Sequence, residues 1–124
     1  MIEVSRFVGG ITVKGHAGYA PNGQDIVCAG VSTLIQTLIV SIENLTEDKI
    51  QYDIQSGYVD IRHGKLSECA HALVDSFFIG VELIANEYPA YVSIELLGNP
   101  EKLDAVQALN DDKSYGKKRR RGTL

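Results

Sequence analysis

His16 and Cys28 are separated by eleven residues in the run GHAGYAPNGQDIVCAGVSTL, residues 15–34, and are the side chains best suited to chemistry. A thiolate is the nucleophile of acyl transfer by cysteine, and a neutral imidazole takes and returns the proton near neutral pH. Asp25 precedes Cys28 by three positions and is a good helix N-cap, which puts Cys28 at the third helical position. There the unpaired backbone N–H groups and the positive end of the helix dipole favour a thiolate. The same helix start offers N–H groups to an oxyanion developing on an attacked carbonyl. Ser32, four residues on, shares the helix face of Cys28, and Ala29 and Gly30 beside the thiol are candidate substrate contacts.

Each residue also has a plainer reading. A helical cysteine is most often a small buried hydrophobe, a strand-end histidine a solvated side chain, and Asp25 only a cap. Ser32 ordinarily bonds the carbonyl one turn back. A metal site would have to draw on His16, Cys28, His63, Cys69 and His71, but the spacing is poor. Cys69 and His71 are two apart on a helix and point to nearly opposite faces. No metal or cofactor is therefore expected. His63, beside Gly64, reads as exposed in a turn, and Cys69 as a packed thiol. The two cysteines form no framework pattern, so no structural disulfide is expected.

The elements that must position these groups follow from periodicity. Ile2 and Val4, then Ile11 and Val13, alternate with polar neighbours around Gly9-Gly10, which predicts a hairpin with strands over 2–7 and 11–15. Residues 15–24 break every period, and Asn22-Gly23 is a turn dipeptide, so this loop is a candidate functional segment and lid. From Asp25, Val27, Val31, Leu34, Leu38, Ile42 and Leu45 recur at helical spacing. Ile50, Tyr52 and Ile54, then Val59 and Ile61, alternate around Ser56-Gly57 as a second hairpin. A second helix runs from Ser67 to about Asn86 with Ala70, Leu73, Phe77, Val81 and Ile84 on one stripe, while Phe78, Ile79 and Leu83 add apolar surface that suits a subunit contact. Val92, Ile94 and Leu96 make a last strand. The expected fold is α+β, a two-layer, mostly antiparallel sheet in ββαββαβ order with two helices on one face. Residues 1–98 form a single domain, 99–110 a short helical segment, and 111–124 a disordered basic tail.

With 124 residues, the chain is the size of one domain, so any site lies on a small scaffold or between subunits. No apolar run approaches the roughly eighteen residues of a membrane span, and MIEVSRFVGG lacks the layout of a signal peptide, so the expected place is the cytoplasm and no membrane partner is expected. The net charge of −4 conceals an asymmetry: six of the twelve Lys and Arg residues lie between Lys113 and Arg121. The acidic remainder disfavours phosphate backbones and suits a basic partner. Nucleic acid would be met only through the tail.

GHAGYA followed by GQDIVCAGVSTL closely resembles the Prp family of bacterial ribosomal-processing cysteine proteases. The motif joins His16, Gly18, Asp25, Cys28, Ala29 and Ser32 in the family's order and spacing, and the likeness covers about residues 1–98. It implies a homodimer that removes the N-terminal extension of the precursor of large-subunit ribosomal protein twenty-seven, cutting after an aromatic residue and before alanine. Cys28 would be its nucleophile and His16 its base, with Asp25 and Ser32 supporting and Gly15 and Gly18 flanking the base. The alternatives are a non-catalytic ribosome-assembly or adaptor protein that uses the KKRRR run, 117–121, and a metal-binding domain.

Overall fold

The computed structural model describes residues 1–97. The helical segment and basic tail expected beyond them lie outside the described residues. The elements are β1 (Ile2–Phe7), β2 (Gly10–Lys14), α1 (Ile26–Leu45), β3 (Ile50–Gln55), β4 (Tyr58–His63), α2 (Glu68–Glu87) and β5 (Val92–Leu96). They form one five-stranded sheet in the order β3-β4-β2-β1-β5. Three pairings are antiparallel, and β1 with β5 is parallel. The architecture is the expected α+β one in ββαββαβ order.

Strand alternation sets the core. Ile94, Val4, Val13, Val59 and Ile54 are cross-strand neighbours and make a continuous apolar row across all five strands. The row beside it runs Leu96, Arg6, Ile11, Ile61 and Tyr52. Arg6 is admitted there because its guanidinium lies 3.3 Å from Asp75 of α2 and 5.0 Å from the Phe78 ring centroid. The helices pack on each other and α2 reaches β5, so the apolar cover reaches only Ile50 at the start of β3. Tyr52 and Ile54, further along the same face of the strand, are therefore about half exposed, at 45% and 48%.

Helix α1 buries Val27, Val31, Ile35, Leu38, Ile39 and Ile42, while Leu45 is exposed. Its core stripe is thus rotated from the expected one, and Leu34 turns instead toward Gly80 of α2. The expectation that no apolar segment has the length of a membrane span also needs correcting. Ile26–Leu45 is long and apolar enough by length and composition. Its apolarity has another physical reason here: one side packs on the sheet and another on α2, so more of the circumference is apolar than a one-sided surface helix needs. Helix α2 is capped by Ser67, whose side chain accepts from the Ala70 amide, and Asp48 accepts from the Ser67 amide at 2.7 Å. Cys69 is exposed rather than packed, because it lies off the buried stripe of Ala70, Val74, Phe77 and Val81.

Candidate active site

The site begins where β2 ends. Gly15 adopts φ +93°, donates its N–H to the Gly57 carbonyl at 2.8 Å, and could not carry a β-carbon without striking the Met1 carbonyl. The next residue, His16, is exposed, and its carbonyl accepts from the Met1 nitrogen at 2.8 Å. Ala17 is buried at 4% and pins the chain to the core immediately after the histidine. Tyr19 then packs edge-on against Tyr88 and Tyr91, with ring centroids 5.5 and 5.3 Å away, and so fastens the loop to the α2–β5 connection.

Asp25 links the two halves of the site. One carboxylate oxygen accepts from the Cys28 amide at 2.9 Å, as an N-cap does, and the other accepts from the Tyr19 amide at 3.0 Å. The Cys28 amide, aided by that of Tyr19, holds the Asp25 carboxyl below the usual carboxylate range despite some loss of solvation. The Ala29 amide donates to the Asp25 carbonyl at 3.0 Å. The two amides nearest the thiol are therefore engaged, which narrows the expectation that the helix start offers them to an oxyanion.

A cleft of about 730 Å³ gathers His16, Gly18, Asp25, Cys28, Ala29 and Ser32, together with residues of the 20–24 loop and Ser56. The cysteine is partly buried, with its body against the core and its place in the cleft wall. No hydrogen bond joins Cys28 to the His16 ring; such contacts often tighten only when substrate arrives. Two expected residues lie elsewhere. Gly15 shapes the backbone beneath His16, and Gly30 faces α2, where a β-carbon would come within 3.2 Å of Ile84. The β3–β4 hairpin turn, Ser56 and Gly57, was missed as a wall of the site because its sequence signals only a turn.

The other titratable groups stand apart from this cleft. His63 Nδ1 lies 2.7 Å from the Gly64 carbonyl and His71 lies 3.5 Å from Asp75. Among the described residues no group of three or more His, Cys, Asp or Glu side chains gathers as a metal site would require. A thiol and an imidazole in one cleft, at a capped helix start, have the chemistry of acyl transfer.

Comparisons with known proteins agree with that chemistry. The profile of the family described as Cysteine protease Prp matches residues 1–93. A Staphylococcus aureus (strain Mu50) protein named ribosomal processing cysteine protease Prp is 30% identical over 81 residues, covering 63% of this chain and 76% of that one. A Mycoplasma genitalium protein of the same name is 31% identical over 96 residues, covering 76% of this chain and 94% of that one. In fold, the chain is similar to the crystal structure of the S. aureus protease Prp with a covalently linked product peptide, with a TM-score of 0.75 at 24% identity over 78% of this chain and all of that one.

Proposed function

This chain belongs to the Prp family of cysteine proteases and is itself a cysteine protease, and on that premise we propose that Cys28 is its nucleophile and His16 its general base. The observation that carries this reading is the single cleft in which both line the wall while one Asp25 carboxylate holds the loop of one and the helix of the other. In the reaction, Cys28 Sγ attacks the scissile carbonyl and its proton passes to His16. The imidazole returns that proton to the departing amine, leaving a thioester on Cys28. Water, deprotonated by His16, then releases the new carboxylate and regenerates the thiol. Ala29, directly after Cys28, contacts the extended peptide, and Ser32, one turn further along the same helix and in the same cleft, supports the site.

The substrate we assign is the N-terminal extension of the precursor of large-subunit ribosomal protein twenty-seven. Two features support it: the curated relatives are named for ribosomal processing, and the acidic chain suits a basic ribosomal protein. The protease domain spans residues 1–98 and works in the cytoplasm as a homodimer, with exposed Leu83 on α2 as apolar surface for a second copy. The test is cleavage of a peptide spanning the extension by wild type, Cys28→Ala and His16→Ala. Both variants lose cleavage by about 10³-fold or more. Cleavage surviving in Cys28→Ala would end the nucleophile assignment, and full activity in His16→Ala would end that of the base.

A further inference from the structure

We propose that the β3–β4 hairpin turn is the seat of the His16 imidazole and that Gly57 is a positioning residue for it. The inference rests on the assignment of His16 as base and adds what holds the ring. The turn reaches the site through the sheet order. Strand β4 pairs with β2 so that Tyr58 lies opposite Lys14, which brings Gly57 beside Gly15. The Gly15 amide then donates to the Gly57 carbonyl at 2.8 Å, one residue before His16. That hydrogen bond fixes the turn and the histidine backbone to each other.

The ring itself rests on the glycine. A β-carbon at Gly57 would lie 2.7 Å from His16 Nε2 and 3.3 Å from both Cδ2 and Cε1. The tip of the imidazole thus lies against Gly57, and a side chain there would push the ring aside. The backbone makes the same demand, since Gly57 has φ +73°. With the Nε2 tip seated on the turn, Nδ1 is the ring nitrogen left to serve the thiol. Ser56, the other residue of the turn, lines the same cleft, so the seat is part of the site's wall and not a remote support.

Conformational strain must be separated from crowding of the ring. Gly9 in the β1–β2 turn has φ +76°, and a β-carbon there would come within 3.1 Å of the His63 carbonyl, far along the sheet from His16. Asn tolerates this backbone region better than other residues. Gly57→Asn is therefore compared with Gly9→Asn, both in the full chain. Gly57→Asn lowers kcat by about 10- to 100-fold with KM within a few-fold, because the base is displaced while the peptide track along α1 is kept. It also shifts the His16 ring proton resonances, whereas Gly9→Asn moves neither quantity. In a His16→Ala background, Gly57→Asn costs nothing further.

In the wild-type protein, nuclear Overhauser contacts are expected between the His16 ring protons and the Gly57 α-protons, a readout that needs no variant to fold. Absence of those contacts, or unchanged His16 resonances in Gly57→Asn, would overturn the seat whatever the activity does. Equal losses of kcat in Gly57→Asn and Gly9→Asn, or additive losses with His16→Ala, would overturn it too. Full cleavage by His16→Ala would instead remove the base assignment while leaving the ring contact intact, so the two failures are distinguishable.

Discussion

Asp25 is the residue whose part is larger than its type suggests. Its identity and its spacing from Cys28 signal an N-cap, and the 2.9 Å bond to the Cys28 amide is that cap. Its second bond, to the Tyr19 amide, depends on how a loop folds back, which no local pattern encodes. The same carboxylate gives the molecule an acid dependence. In the folded state Asp25 lies below the ordinary carboxylate range because of the Cys28 amide, and Asp48 does so because of Ser67, through hydroxyl and amide. Each group therefore takes up its proton at lower pH when folded than when unfolded. Their contribution to stability is complete above the ordinary carboxylate range and is lost as pH falls through the lowered folded values. Melting temperature measured by calorimetry is expected to be level near neutrality and to fall below about pH 4, with the fall shallower in Asp25→Asn/Asp48→Asn.

At the scale of elements, the strand and helix periods were legible, and so was the turn chemistry of both hairpins. The phase of α1 was less so. Val27, Val31, Leu38 and Ile42 lie where the spacing puts them, but Ile35 and Ile39 are buried and Leu34 serves the α1–α2 contact. A helix apolar around much of its circumference allows several stripes, and only its two neighbours choose among them. Ile42, 1% exposed, sits on the stripe the structure selects. Ile42→Ala is expected to destabilise the fold by about 2–5 kcal/mol in denaturant unfolding, with the cleft end of α1 left in place. The Ser56-Gly57 turn makes the complementary point. Its existence was plain from sequence, but its arrival beside His16 follows from the β4–β2 pairing, a long-range choice that alternation does not reveal.

For the whole molecule, ββαββαβ order and two layers follow from counting elements, whereas the parallel β1–β5 pair and the overhanging face of β3 do not. The overhang arises because two helices of twenty residues each, packed side by side, do not cover five strands. The fold brings His16 and Cys28 to one cleft from the end of a strand and the start of a helix, and it leaves Cys69 in the open on α2. That contrast provides the most direct test of the central claim, because exposure alone favours Cys69 and the site favours Cys28. A chloromethyl ketone built on the aromatic residue before the proposed cut, incubated with the protein and followed by peptide mass mapping, is expected to alkylate Cys28 in step with loss of cleavage. Alkylation of Cys69 in step with that loss, with Cys28 unmodified, would contradict the account.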